Sequence, residues 1–381
     1  MIKGLAGLFA ILAVLHATGQ EPEKTDIFTA NTDGFELFRI PGIVVTTKGT
    51  ALAYCEARHD AHSDWGEIAV HMRRSTDGGR TWEKARQIAH MGERAEGNPR
   101  KKAGGEHEQT VNNPVAMVDR NGSVHFLYEL NYARCFSMRS EDEGLTWTKP
   151  VEITAAFEGF RKACDWKVIA TGPGHGIQLR SGRLVVPVWL AYGNVGDHSP
   201  SAAGTIYSDD HGRTWKAGDI AVPNAGAIGN PNETSIAELS DGRVMLNTRN
   251  VSKANRKLVT LSADGATGWA APRFDDALWE PICMGSLLAL PKPDTLLFAC
   301  PHSLKLDPMG NEMPGKGGER KNLTLQLSRD NGNTWPVSKT LEEGRSAYSD
   351  LAIGPDGTIF CFYERDKRLT VARFTPGWLN Q

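Results

Sequence analysis

Three arginines lie at or beside apolar, strand-like runs, where an unpaired charge would be costly. Arg39 lies in FRIP, Arg249 in NTRN and Arg320 in GERKNLTLQLS. A buried guanidinium needs an anionic partner or must face a binding site. Because the planar guanidinium binds carboxylates bidentately, three that converge would form a carboxylate receptor. An ordinary salt bridge explains any one of them alone better than a functional role does.

An eight-residue segment recurs along the chain and indicates how distant arginines could be brought together. Its copies, called boxes here, begin at Ser75, Ser140, Ser208, Ser262 and Ser328, and SDDHGRTW is typical of them. They recur at intervals of roughly 60 residues, which is typical of repeated supersecondary units. The intervening runs, such as GRLVVPVWLAYG and GTIFCFYER, are apolar and β-branched, and turn signals such as SDGR and PDGT separate them.

Each box has the residue types of a structural hairpin turn. Its Asp can accept hydrogen bonds from its own loop, and its Gly permits positive φ. Its Thr favours the returning strand and its Trp can pack between sheets. We therefore expect the box aspartates to hold turns and not to be catalytic.

The repeat count predicts an all-β fold, a six-bladed β-propeller. Residues 20–381 form a single domain in this interpretation, and roughly six units of about 60 residues fit its length. Strands of such a fold can converge on the central axis, which would bring the three arginines together. A solenoid of hairpins is the alternative.

The remaining composition restricts the class of protein. The chain has 381 residues and a formal net charge of -2. Nucleic-acid-binding proteins usually carry a basic patch and a positive net charge, so this composition argues against that class. Residues 1–19 have the layout of a signal peptide, with Lys3 before an apolar run, and predict an exported protein; a membrane anchor or buried helix is the alternative. The six cysteines lack metal-type spacing, and their disulfide state is left open.

Taken together, several motifs resemble a known enzyme family. FRIP near the start, the boxes, GPGHGIQL and SAYSDLA together resemble bacterial exo-α-sialidases of the retaining, tyrosine-using family, and FRIP, the later arginines and the Tyr motif come in the order of that family. The resemblance extends over essentially the whole chain after the leader. It implies a six-bladed propeller, release of terminal sialic acid from glycans, and no metal or organic cofactor.

The resemblance also implies a role for particular residues. The family's arginine triad falls on Arg39, Arg249 and Arg320. The remaining roles fall on Tyr348 as nucleophile, Glu233 as its partner, Asp64 as acid/base with Asp60 as the runner-up, and Glu364 as the brace of the first arginine.

The chemistry of sialic acid explains these residue types. Its carboxylate is attached to the anomeric carbon and would repel an attacking Asp or Glu. A neutral Tyr avoids this repulsion, and sialidases are a known exception to the two-carboxylate rule. A neighbouring Glu can take the Tyr proton, and an Asp can protonate the leaving oxygen. The expected result is a covalent Tyr348 intermediate and retention of configuration.

Other interpretations of these segments stay open at this stage. His59, Asp60, His62 and Asp64 could be metal ligands, although the set lies in one loop. Trp65 could contact a sugar substituent or simply pack, and His175 could approach the pocket or shape a Gly-rich turn. KANRK, which ends at Lys257, predicts a solvated hairpin face.

The sequence thus predicts an exported, monomeric exo-α-sialidase acting on sialylated glycans, with no nucleic-acid partner. No segment after the leader is apolar enough to span a membrane. The alternatives are a trans-sialidase, a sialidase for a non-standard sialic acid, and a propeller that binds sialylated glycans without turnover.

Overall fold

The protein is an all-β structure with a propeller-like arrangement of sheets, as the sequence predicts. The computed structural model describes residues 20–61, 63–89, 109–194 and 198–380, so the leader predicted at residues 1–19 lies outside the described residues. The described helices are a 3-10 helix, Thr154–Lys162, and the short helix α1, Pro376–Leu379. No helix among the described residues is long and apolar enough to cross a membrane.

The strands, numbered β1 to β25 along the chain, form five sheets in the described part of the chain. The first sheet contains β2 (Leu37–Val45), β3 (Ala51–Arg58), β4 (Ile68–Ser75) and β5 (Arg86–Ala89). The second contains β6 (Val111–Val118), β7 (Val124–Leu130), β8 (Arg134–Ser140) and β9 (Val151–Glu152), and β11 (Gly174–His175) pairs in parallel with β6. The third contains β10 (Val168–Thr171), β12 (Ile177–Gln178), β13 (Leu184–Ala191), β14 (Ser201–Ser208) and β15 (Lys216–Val222). The fourth contains β16 (Thr234–Glu238), β17 (Val244–Thr248), β18 (Arg256–Ser262) and β19 (Arg273–Trp279).

The fifth sheet has seven strands and joins the two ends of the chain. It contains β1 (Glu23–Thr29), β20 (Ser286–Ala289), β21 (Leu296–Pro301), β22 (Lys321–Ser328), β23 (Val337–Ile353), β24 (Ile359–Arg365) and β25 (Arg368–Phe374). Residues 337–345 of β23 pair with β22, and residues 346–353 pair with β24. β1 pairs antiparallel with β25. Because the structure forms five sheets, the count of six blades stays a prediction.

Apolar side chains fill the space between adjacent sheets. Leu52 and Met72 of the first sheet pack with Val124 and Phe126 of the second. This face-to-face burial explains why the strands are apolar with little alternation, since most strands have both faces covered. All six cysteines are free and buried, so the structure forms no disulfide from them.

The boxes form the hairpin turns that the sequence predicts. In the first box, Asp77 Oδ1 accepts from the Thr81 N–H at 2.9 Å and Asp77 Oδ2 from the Thr81 hydroxyl at 2.6 Å. Gly79 has a φ of 80°, and a Cβ there would lie 2.6 Å from the Phe360 ring, so only glycine fits. In the other four boxes the Asp likewise accepts from the N–H of the box Thr, so each box fixes its own turn, and the first also packs against a neighbouring sheet.

The box turns lie at the opposite ends of strands from the predicted site residues. Asp64, Arg249 and Arg320 precede strands β4, β18 and β22, respectively. Each of these three strands ends in a box. A strand of this length separates its ends by roughly 25 Å. The boxes therefore build the sheets at one end, and the predicted chemistry lies at the other.

Candidate active site

Arg39 lies on β2 at an irregularity of the strand that turns its side chain toward Glu364. The pairing of β2 with β3 shifts between Arg39 and Gly42, and Ile40 has a φ of 58°. Positive φ is strained for a β-branched residue, and Pro41 disfavours the helical region for the residue before it. The Ile40 N–H donates to Glu364 Oε1 at 3.1 Å, which supports the strained backbone.

Glu364, on β24, holds Arg39 and Tyr348 at the same time. Arg39 Nε donates to Glu364 Oε1 at 3.1 Å and Nη2 to Oε2 at 3.4 Å. The Tyr348 N–H donates to Glu364 Oε2 at 3.4 Å. Burial disfavours the charged Arg39 guanidinium, but the carboxylate of Glu364 offsets this and raises the pKa of Arg39. The position of Glu364 fits the bracing role predicted for it.

The hydroxyl of Tyr348, on β23, lies between a carboxylate and a guanidinium. Tyr348 Oη donates to Glu233 Oε1 at 2.8 Å, and Arg249 Nη1 donates to Tyr348 Oη at 2.8 Å. Burial, then the nearby Glu233 charge, raise the pKa of Tyr348, although Arg249 opposes them. Because the side chain is only 4% exposed and its pKa is raised, any reaction at this phenol oxygen would need a base to take its proton.

Glu233 and Arg249 are neighbours because of strand pairing. Glu233 directly precedes β16 and Arg249 directly follows β17, and Thr234 pairs with Thr248. The Arg249 N–H donates to the Glu233 carbonyl at 2.9 Å, and Arg249 Nη1 also contacts the Glu233 carboxylate. Residues 16 positions apart thus meet at the same end of one hairpin.

The guanidinium groups of Arg39 and Arg320 lie over the Tyr348 ring. Their Cζ atoms are 5.0 Å and 5.1 Å from the ring centroid. Arg320 Nη2 donates to the Ile282 carbonyl at 2.9 Å. The structure therefore brings the three predicted arginines together around Tyr348. A cavity of about 190 Å³ opens beside them and is also lined by Arg345 and Arg368.

Asp64 lies at the edge of this cluster and is 48% exposed. Its Oδ1 accepts from Arg58 Nη1 at 2.6 Å and is 3.7 Å from Arg39 Nη1. Burial would raise the pKa of Asp64, but Arg58 and then Arg39 outweigh it and lower that pKa. These two guanidinium groups therefore favour the carboxylate form of Asp64. Its position near Arg39 fits the acid/base role predicted for it, and Asp60 stays the runner-up.

Arg58 and Glu56 were missed at the sequence level. Arg58 Nε donates to Glu56 Oε2 at 2.9 Å, and both side chains are buried. Burial raises the pKa of Glu56, although Arg58 opposes this effect. A signal was present, because two charged residues two positions apart in the apolar run ALAYCEAR share one face of a strand.

Three other residues singled out in the sequence make packing or ion-pair contacts in the core. Trp65 is buried and lies 4.5 Å, between ring centroids, from Tyr132, so it packs. His175 Nδ1 lies 2.7 Å from Asp350 Oδ1 in the core. The prediction of a solvated face at Lys257 was wrong, because this side chain is fully buried against Glu280. Ion pairing to Glu280 makes that burial possible.

The metal-site alternative in the Asp64 loop has no support among the described residues. No group of three His, Cys, Asp or Glu side chains there is placed to hold a metal ion. His62, one member of the proposed set, lies outside the described residues.

The sequence has a family match that fits this arrangement. Residues 49–361 match the family described as BNR repeat-like domain. The chain belongs to this family. This BNR repeat-like protein is 30% identical over 409 aligned residues to a sialidase of Micromonospora viridifaciens, with 100% of the chain and 58% of that relative covered. It is 31% identical to a sialidase of Bacteroides fragilis, with 94% and 66% covered.

Solved structures show the same fold. The Hadza microbial sialidase Hz136 superposes with a TM-score of 0.75 and 27% identity, covering 93% of this chain and 68% of that one. An intramolecular trans-sialidase from Ruminococcus gnavus superposes with a TM-score of 0.73 at 17% identity, covering 93% and 98%, which supports the fold alone. The BNR repeat-like chain spans 58% and 66% of the length of the two curated relatives above. The resemblance to sialidases is confirmed.

Proposed function

We propose that this protein is an exo-α-sialidase that hydrolyses terminal, α-linked sialic acids from glycoconjugates with retention of configuration. The observation that carries the proposal is the Tyr348 hydroxyl, hydrogen-bonded to Glu233 at 2.8 Å and surrounded by Arg39, Arg249 and Arg320. The names of the curated relatives support the same activity. Metal ions and organic cofactors have no part in this mechanism.

The first step forms a covalent bond between Tyr348 and the sugar. The arginines hold the substrate carboxylate, and their charge orients it beside the phenol. Tyr348 Oη bonds to the anomeric carbon as its proton passes to Glu233. The bond from that carbon to the leaving oxygen breaks, and Asp64 gives this oxygen its proton.

The second step reverses these roles. Asp64, now a carboxylate, takes a proton from water as the water oxygen attacks the anomeric carbon from the face that the leaving group vacated. The bond to Tyr348 breaks, and Glu233 returns the proton to the phenol. Two inversions give net retention, so the first sugar released is the α-anomer.

The acid role of Asp64 requires that substrate binding raise the pKa of its carboxyl group. That pKa is lowered by Arg58 and Arg39. A substrate carboxylate that binds Arg39 competes with Asp64 for the same guanidinium, 3.7 Å away. Binding therefore raises the pKa of Asp64 and favours the protonated form that the first step consumes.

Three further proposals concern the chain as a whole. The seven-stranded sheet counts as two blades that share β23, since separate halves of this strand pair with β22 and β24, and this gives six blades. The apolar run within residues 1–19 directs export, and residues 20–381 act as one monomeric domain. Mass spectrometry of the mature N-terminus tests the export signal, and light scattering of the purified protein tests the monomeric state.

Product analysis and covalent trapping test the mechanism. Proton NMR of an aryl α-sialoside reaction should show α-sialic acid before the β-anomer. A 2,3-difluorosialic acid should label Tyr348, identified by peptide mass spectrometry. β-Sialic acid as first product, or a label on another residue, would refute the proposal. An anhydro sugar, or transfer to added lactose, would instead identify a trans-sialidase.

A further inference from the structure

Lys257 and Glu280 form an enclosed ion pair that the proposed chemistry does not use. Lys257, on β18, is 0% exposed and Glu280, just after β19, is 1% exposed, with Nζ and Oε2 3.0 Å apart. Burying two charges usually stabilises a protein no more than apolar residues of similar volume would. The pair therefore calls for an explanation beyond core stability, and its hydrogen bonds supply one.

One oxygen of Glu280 holds the backbone next to Arg249. Glu280 Oε2 accepts from the Asn250 N–H at 3.0 Å. The Asn250 side chain in turn donates to the Arg256 carbonyl at 2.9 Å and accepts from the Ser252 N–H at 3.0 Å. Glu280 thus anchors the loop at Asn250, which directly follows Arg249, the arginine whose guanidinium contacts Tyr348.

The other groups of the pair hold the backbone that receives Arg320. Glu280 Oε1 accepts from the Cys283 N–H at 3.1 Å, and Lys257 Nζ donates to the Cys283 carbonyl. The residue directly before Cys283, Ile282, has a φ of 59°, and its carbonyl accepts a hydrogen bond from Arg320 Nη2 at 2.9 Å. A β-branched residue persists in this strained region only when its surroundings fix it.

We propose that Lys257 and Glu280 are positioning residues that fix Arg249 and Arg320 relative to each other, so that both guanidinium groups reach one substrate carboxylate. The inference rests on the proposed function, because it assigns the carboxylate to these arginines. Neither residue touches the substrate. Their loss changes carboxylate recognition through the Asn250 amide and the Ile282 carbonyl.

The test compares binding of one ligand with and without its negative charge. The probes are 2-deoxy-2,3-didehydro-N-acetylneuraminic acid and its methyl ester, and calorimetry gives the ratio of their affinities. The variants are Lys257→Met, Glu280→Gln and the double variant, which leaves no lone buried charge and is expected to fold. Leu258→Ala is the matched control, because this neighbouring side chain is fully buried in the core and its truncation destabilises the same strand.

We expect the double variant to bind the acid about 10–100-fold more weakly, the equivalent of one charge-assisted hydrogen bond. Its affinity for the ester should change little, so the ratio falls, whereas Leu258→Ala should keep the wild-type ratio. A folded Glu280→Gln or double variant with an unchanged ratio overturns the inference, as does an equal fall in Leu258→Ala.

The same experiment separates this inference from the proposed function. Wild-type protein that prefers the acid but does not turn over an aryl sialoside would refute the enzyme, while the ratio still decides the role of the pair. Wild-type protein that binds acid and ester equally would refute the carboxylate receptor and this inference with it.

Discussion

Replacing Tyr348 by Phe removes one oxygen from the candidate site and leaves its charges paired. The lost atom accepts from Arg249 at 2.8 Å and donates to Glu233 at 2.8 Å, but Arg249 and Glu233 still contact each other. No buried charge is left alone, so the free energy of unfolding should fall by only about 1–2 kcal/mol. The ring stays beneath Arg39 and Arg320, so carboxylate binding should persist.

Turnover should fall much further than stability. Without the phenol oxygen no bond to the anomeric carbon can form, and loss of an enzyme's nucleophile costs on the order of 10³-fold or more in kcat. Fluorescence of 4-methylumbelliferone released from its α-sialoside measures kcat and KM, and thermal unfolding measures stability. The matched control is Tyr363→Phe, because Tyr363 Oη also donates to a carboxylate, Glu342, at 2.7 Å but lies outside the site.

Two results would contradict this reasoning. Tyr348→Phe with more than a tenth of wild-type kcat would show that the phenol is not the nucleophile. Equal losses of activity in Tyr348→Phe and Tyr363→Phe, at similar Tm, would show that a buried hydroxyl is needed for the fold and not for the reaction.

Three further predictions follow from the contacts of other residues. Asp64→Ala should lose about 10²–10⁴-fold in kcat/KM on sialyllactose but far less on the umbelliferyl substrate, whose leaving group needs little protonation; equal losses in both assays would contradict the acid role. Glu364→Ala removes the carboxylate that binds Arg39 at 3.1 Å and should raise KM about tenfold or more, and unchanged kinetics would refute the brace. Hydrogen bonds from Thr146 depress the pKa of Asp142 to about 2, so this box contributes stability that is present above the usual Asp pKa and is lost as pH falls from about 4 toward 2. The Tm of Asp142→Ala should accordingly be lower than wild type at pH 7 and approach it at pH 2, and a difference independent of pH would contradict this assignment.

Much of the fold was predictable because its signals are local. The boxes, the β-branched runs and their turns depend on hydrogen bonds and side-chain alternation within a few residues, so they predict an all-β repeat directly. The continuous strand β23 could not be predicted, because nothing in VSKTLEEGRSAYSDLAI shows that its two halves pair with different neighbours. That is a property of long-range pairing.

The candidate site was predictable in its residues but not in its surroundings. The resemblance selected Arg39, Glu233 and Tyr348, which the structure brings together. Buried charged residues whose partners are other buried charges were missed, as with Arg58, or misinterpreted, as with Lys257. A charged residue in a strand looks solvated until its partner is known, and the partner of Lys257 is 23 positions away in sequence.

In the proposed function, the ion pairs of the site favour a reaction that begins only once substrate is bound. Arg39 is paired with Glu364, and Arg249 with Glu233, whereas Arg320 has a backbone carbonyl and no acidic partner among the described residues. An incoming carboxylate is therefore drawn first to Arg320 and must compete for the other two guanidinium groups.

That competition has two chemical consequences in the proposed function. Drawing Arg39 away from Asp64 raises the pKa of the acid, and drawing Arg249 away from Glu233 leaves this carboxylate free to accept the Tyr348 proton. Binding of the substrate carboxylate, the group that distinguishes sialic acid from neutral sugars, therefore prepares both the acid, Asp64, and the base, Glu233, for the reaction. A neutral sugar of similar shape would leave Asp64 ionised and Glu233 paired, so the site would discriminate against it in the chemical step as well as in binding.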